Sequence, residues 1–332
     1  MPDLARTRAH LAEGLGKNLW SGFSLAVRKN SRTLTLAGGD VPGPSASVPW
    51  FSAGKPVTAA GVLKILGDSP EELRRPIAAG LPELAGSYAG TLTLEAVLSH
   101  QTGLRIAESD LRATPERIWD FFRRIHPKDC RLSPGQAAYD PAGGWWLLGQ
   151  WIERRADKPW ADFLEQDLLG PAGLAGLKFR NPAVPIRDRR AGQWVGGEPG
   201  TGPGAGLTGP AAELALFYEK LSRGQILREP ILGKMLSPAR TDQSDATFGH
   251  VVDFGLGVIL NSNRHGASTV PYGFGAVAGA RSFGHGGARS SIAFADPEAG
   301  FTAAVFLNGR VPESEHQPRM RTLLDLARSE LA

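Results

Sequence analysis

Residues 52–67 read SAGKPVTAAGVLKILG, and this stretch decides how the rest of the chain is read. Ser52 and Lys55 stand three residues apart at the head of an expected helix, and residues so spaced share a helix face. Pro56 fits only a first helical turn, which places the helix start close to Ser52. Val57, Ala60, Val62, Leu63, Ile65 and Leu66 make the helix apolar on most sides, so it is expected to be buried. A serine at a helix start is commonly a cap. An amine beside it changes the reading, because a serine hydroxyl is a weak nucleophile until a neighbouring base takes its proton. Short motifs recur by chance, so the other segments of the chain must carry the case.

Working outward, residues 3–16 place Leu4, Leu11 and Leu15 on one helical stripe, interrupted by Arg8. FSLAVRKN and RTLTLAGG then run apolar or alternate around a KNS turn and read as a β-hairpin. From about Glu71 to Gly224 helical patterns dominate, apart from a Pro/Gly-rich stretch over 181–206. Such a long loop in a compact domain is usually functional or disordered. It is read here as a lid or wall over a pocket, with Trp194 facing in. After Asp253 strand patterns return in FGLGVIL, SSIAFADP and FTAAVFLN, and RMRTLLDLARSELA closes the chain as a helix.

This order predicts an α+β fold, an antiparallel sheet flanked by the N- and C-terminal helices with a mostly helical domain inserted. The expected boundaries are 1–66 plus 240–332 for the sheet domain and 67–239 for the insertion. Ser52 then lies at the seam, where pockets preferentially form.

The 332 residues carry a formal charge of only +4, with arginines scattered rather than striped, which argues against nucleic acid as a partner. The single cysteine, Cys130, excludes an internal disulfide and is read as an incidental thiol. His250, His265 and His316 show no metal-ligand spacing, so neither a metal nor a cofactor is expected. No apolar stretch is long enough to cross a membrane. The first residues lack the apolar core of a secretory signal, which gives the expectation of a cytoplasmic protein.

Four further segments stand out, VLSHQTGL (97–104), AYDPAGGWWLLGQWI (138–152), GPGAGLTGPAAELALF (202–217) and FGHGGARS (283–290). With these and Ser52-x-x-Lys55 the chain resembles the serine β-lactamase and penicillin-binding-protein superfamily, in its class C and family VIII esterase branch. VLSHQTGL (97–104) looks like LL-[ST]-H-[TQ]-[ST]-G-L. AYDPAGGWWLLGQWI (138–152) looks like Y-S-N-x-x-[YF]-x-LLG-x-[IV]-I. GPGAGLTGPAAELALF (202–217) looks like P-x-GGL-x-[ST]-x-x-DLA-x-F, and FGHGGARS (283–290) matches the H-x-G form of the third motif.

The resemblance implies that Ser52-x-x-Lys55 is the nucleophile motif and Tyr139 a general base or acid. Lys55 and Tyr139 then share the proton of Ser52, and His285 lies beside Tyr139. The backbone N–H groups of Ser52 and Ala288 form the implied oxyanion hole. Gly286 and Gly287 are expected to admit the substrate carbonyl, and a phenolate on Tyr139 is expected only if Lys55 stabilises it. Asp140, Trp145 and Trp194 are the remaining expected substrate-binding residues, although the tryptophans of 138–152 read first as core. His100 is expected to be structural. One departure stands out, since Asp140 and Pro141 follow Tyr139 where the pattern has its asparagine.

The expected activity is a serine carboxylesterase or transacylase working through a Ser52 acyl-enzyme. It would take a small-molecule ester or activated acyl donor, with water, an amine or an alcohol as acceptor, and natural-product biosynthesis is one setting for an amine or alcohol. The alternatives are a β-lactamase or D,D-peptidase-type hydrolase, or an inactive homologue that only binds.

Overall fold

The computed structural model describes residues 3–126, 132–133, 135–180 and 184–331, so Cys130 lies outside the described residues. Helix α1 (Ala5–Gly16) leads into strands β1 (Gly22–Lys29) and β2 (Arg32–Gly39). Asn30 and Ser31 both take positive φ, the turn that matches the right-handed twist of a two-residue hairpin. The buried face of α1 runs through Leu4, Thr7, Leu11 and Gly14, which leaves Arg8 outside it. Gly14 is needed there, because the Trp20 ring occupies the space of its missing side chain.

The main sheet is completed from the far end of the chain by β3 (Ile259–Leu260), β4 (Phe283–Gly287), β5 (Ser291–Asp296) and β6 (Phe301–Asn308). Its order is β3-β4-β5-β6-β1-β2, with every neighbouring pair antiparallel. Along β6 the two-residue period divides the side chains between two cores. Ala303, Val305 and Leu307 join the layer under α1 and the C-terminal helix α5 (Glu313–Ser329), while Ala304 and Phe306 join the opposite layer. FGLGVIL forms strand only at Ile259–Leu260. Helix α5 begins upstream of Pro318, a residue that reads as a breaker but sits inside the helix.

On the other face lie α2 (Lys55–Leu66), α3 (Gly143–Ala156) and α4 (Ala211–Ser222). Helix α4 lies against β1, β5 and β6, and α2 packs on α3. Among residues 181–206, Arg187–Arg190 and Gln193–Gly196 pair as a small hairpin, and Gly202–Ala205 form a short helical turn.

The turn that carries Ser52 is a 3-10 segment, Phe51–Gly54, fastened from three sides. The Trp50 N–H and indole N–H donate to the carbonyls of Leu207 and Gly209. Tyr218 Oη donates to the Ala53 carbonyl from α4, and Ser291 Oγ to the Trp50 carbonyl from β5. Sheet and helical layers therefore meet at Ser52.

Candidate active site

Phe51 takes φ 49°, in a region costly for a residue with a side chain, and such strain concentrates at functional sites. The next residue, Ser52, has its Oγ 2.7 Å from Tyr139 Oη and 3.1 Å from Lys55 Nζ. Lys55 is fully buried on the first turn of α2. Its Nζ donates to the carbonyls of Pro141 and Gly204, each at 2.8 Å, and lies 4.8 Å from the centre of the Trp145 ring. A side chain at 204 would meet Nζ at 3.0 Å and Trp145 at 2.9 Å, so glycine is what lets this carbonyl approach.

Burial is the main reason the Tyr139 phenol is pushed up, with the Asp140 and Asp245 carboxylates adding to it and the bond to Ser52 opposing it. The raised phenol favours the protonated hydroxyl at neutral pH, so a phenolate would need the stabilisation from Lys55 on which the expectation is conditional. Asp140 is not in the cleft. Its carboxylate accepts from the N–H groups of Gly143 and Gly144 at the start of α3 and from Ile106. It is an N-terminal cap that also staples a loop. His100 accepts from the Asp140 N–H through Nδ1 and packs tilted against Tyr139 and Trp145 and edge-on to Phe254, a structural placement.

His285, on β4, is buried, and its ring centre is 5.8 Å from that of Tyr139. Burial, then the nearby Lys55 charge, pull its imidazole down to about 3, so it is neutral at physiological pH. Nδ1 lies 2.7 Å from the Gly286 carbonyl and must be the protonated nitrogen to bond it. Nε2 is then an acceptor, and among the described residues it has no hydrogen-bond partner.

Both glycines after His285 have an internal reason. The Tyr272 ring fills the side-chain space of Gly286, and that of Gly287 is taken by the Trp50 carbonyl, Ser291 and the Ala53 N–H. This contact seats the end of β4 against the Ser52 turn. Ala288, with φ 37°, follows at once and lines the cleft together with Ser52.

The cleft has a volume of about 250 Å³. Phe51, Pro141, Phe248 and Tyr272 form apolar walls, and Arg112, Glu198 and Arg310 bring charge. Arg112 faces Glu198 at 3.8 Å, and Arg310 makes two bonds to the Asp188 carboxylate. A larger hollow of about 790 Å³ near Leu232, Asn261 and Arg264 contains none of these groups. Among the described residues, no group of His, Cys, Asp and Glu is placed to hold a metal ion.

With Asp140, two more expected substrate contacts are corrected. Trp145 is buried behind Lys55 rather than open to the cleft. Trp194 turns away, with its indole N–H on Asn18 and its ring over Gly309, and it is Glu198, Pro199 and Ala205 of the 181–206 stretch that form the wall. The residues missed from the sequence are main-chain carbonyls, Pro141 and Gly204, and the side chains of Asp245, Phe248, Tyr272, Arg112, Glu198 and Arg310. A carbonyl leaves no signature in residue type. Phe248 and Tyr272 lie in stretches without periodicity.

Solved structures with this architecture include a penicillin-binding protein homologue from Caulobacter crescentus, 19% identical, covering 99% of this chain and 97% of that one with a TM-score of 0.78. EstCE1, a hydrolase with promiscuous acyltransferase activity, is 16% identical over 98% of each chain with a TM-score of 0.79. A class C β-lactamase from Rhodobacter sphaeroides is 18% identical, covering 99% of this chain and 100% of that one with a TM-score of 0.74. At these identities the likeness shows the fold. A search of curated protein sequences finds no match. The family model described as Beta-lactamase matches residues 8–328, a span that takes in every motif segment from Ser52 to Ser290, and the chain therefore belongs to the β-lactamase family.

Proposed function

We propose that this protein is a serine acyl-transfer enzyme, a carboxylesterase or transacylase that works through an acyl-enzyme on Ser52. The observation that carries this reading is the pair of contacts to Ser52 Oγ, from Lys55 Nζ at 3.1 Å and Tyr139 Oη at 2.7 Å. Nζ is cationic as it donates to Ser52 Oγ and to the carbonyls of Pro141 and Gly204, so to accept the serine proton it must first give up one of its own; the two carbonyls would then engage the remaining N–H groups and leave a lone pair for the serine hydroxyl.

In the proposed cycle Ser52 Oγ attacks the acyl carbonyl and the Lys55–Tyr139 pair takes its proton. The tetrahedral oxyanion is received by the backbone N–H groups of Ser52 and Ala288. Each such donor lowers the barrier by about 3–4 kcal/mol. The bond to the leaving group breaks as the pair returns one proton to it, so the net proton movement is from Ser52 to the leaving group. Water, an alcohol or an amine then gives its proton to the pair and attacks the acyl carbon, the bond from that carbon to Ser52 Oγ breaks, and the pair returns the proton to Oγ.

Charge favours ester over β-lactam or peptide substrates. His285, standing where the K-T-G form of the motif has lysine, is neutral, and the cleft arginines face Glu198 and Asp188. A substrate carboxylate therefore meets no uncommitted cation among the described lining residues. The small volume favours short acyl groups, such as those of p-nitrophenyl acetate and butyrate.

The test is turnover of these esters with added alcohols or amines as competing acceptors. Ser52-dependent p-nitrophenol release, with part of the acyl group captured by the acceptor, is the expected result. Nitrocefin turnover faster than ester turnover would overturn the preference.

A further inference from the structure

The Ser52–Tyr139 bond depends on where the phenol is held, and one element outside the motif segments holds it. Asp245 is fully buried. Its Oδ1 accepts from the backbone N–H groups of Tyr139, Thr247 and Phe248, at 3.1, 2.8 and 3.1 Å. Thr247 Oγ1 donates to the Tyr139 carbonyl at 2.8 Å. The Phe248 ring stacks on the phenol with centres 5.0 Å apart and planes 25° from parallel. Both main-chain groups of Tyr139 and one face of its ring are thus set by residues 245–248.

The carboxylate is fixed in turn. Asp245 Oδ2 lies 2.9 Å from the Arg240 guanidinium, with both side chains at 0% exposure. Arg240 also donates to the carbonyls of His100 and Val252, and His100 packs near the phenol from another direction, 4.7 Å between ring centres. A buried ion pair is a poor way to gain stability, since apolar side chains of the same volume often do as well or better. Its placement here serves geometry.

We infer that Asp245, gripped by Arg240, is a positioning residue for Tyr139, and that the 245–248 turn keeps the phenol hydroxyl on Ser52 Oγ. This rests on the reading of Tyr139 as the proton-handling group. A small misplacement of such a group can cost about a hundredfold in rate without touching substrate affinity.

The experiment is a double-mutant cycle on the full chain, with p-nitrophenyl acetate turnover as the readout. Asp245→Asn keeps an acceptor for the three N–H groups and removes the charge that Arg240 grips. Thr247→Val removes only the bond to the Tyr139 carbonyl, and it stands in if Asp245→Asn does not fold. Each is measured alone and with Tyr139→Phe. The expected result is a fall in kcat of about tenfold or more with KM nearly unchanged, and little further loss when Tyr139→Phe is already present. An equal loss in both backgrounds, or no loss in either, overturns the positioning role. If Tyr139→Phe alone leaves kcat intact, the reading of Tyr139 fails first, and the inference falls with it.

Discussion

The carbonyl of Pro141 accepts from Lys55 Nζ at 2.8 Å, at the position where the family pattern carries an asparagine side chain. The Tyr-Asp-Pro departure thereby divides two tasks. The main chain of Pro141 orients the lysine, and the carboxylate of Asp140 caps α3, whose first turn stands directly behind the site. Proline supplies no N–H donor, so an acceptor on the substrate gains nothing at this position.

Lys55→Met should lower kcat for p-nitrophenyl acetate by about a hundredfold to ten-thousandfold, the range expected when a positioned proton acceptor is lost. Its thermal transition should change little or rise, because a buried amine is replaced by an apolar chain of similar length. Steady-state kinetics and calorimetry check both. Retained turnover would remove Lys55 from the proton pathway.

Asp140→Ala should lower stability by about 1–2 kcal/mol, through loss of the cap on α3. Denaturant titration measures this. Because Asp140 lies behind the cleft, KM for small esters should stay near that of the wild type. A large rise in KM would return Asp140 to the substrate-binding residues.

Much of the site was legible because its groups are side chains at family spacings. Ser52, Lys55, Tyr139 and His285 are brought together as the sequence indicates, and Ala288 lines the same cleft. The hairpin at Asn30–Ser31 and the alternation of β6 were equally readable. What escaped the reading has physical reasons. Trp194 looked like a pocket residue because large aromatics often are, yet the hairpin over 187–196 turns it onto Gly309. Asp245 and Phe248 lie about a hundred residues from Tyr139, and only the folded chain joins them. The glycines after His285 pointed to a close approach, but the approaching groups are the Tyr272 ring and the Trp50 carbonyl.

The Tyr272 ring is a cleft wall, and its hydroxyl is tied to Glu313 at 2.8 Å. Tyr272→Ala should widen the cleft and raise kcat/KM for longer acyl esters relative to acetate by about tenfold, the scale of one or two added apolar contacts. Trp194→Ala should leave that ratio unchanged. A chain-length series from acetate to octanoate compares them, and a shift caused by Trp194→Ala alone would contradict the placement.

Stability should fall with acidity. The folded His285 imidazole is pulled down to about 3, whereas an unfolded imidazole titrates near 6.5. The unfolded chain therefore takes up a proton that the folded chain refuses. This contribution is complete above about pH 6.5 and is lost as pH falls toward about 3. His100 and His316, also pushed well below the ordinary value by burial, act in the same direction. Denaturant midpoints at about pH 7.5 and 4.5 should differ in that sense, and His285→Gln should make the difference smaller. An unchanged difference would mean His285 is already protonated in the folded protein.

A covalent acyl-enzyme on Ser52 is tested by intact-mass spectrometry of the folded protein after a fluorophosphonate or a p-nitrophenyl ester. One adduct is expected, mapped to the peptide that carries Ser52 and absent from Ser52→Ala. A folded protein that takes up no adduct, or takes it up equally in Ser52→Ala, would contradict it.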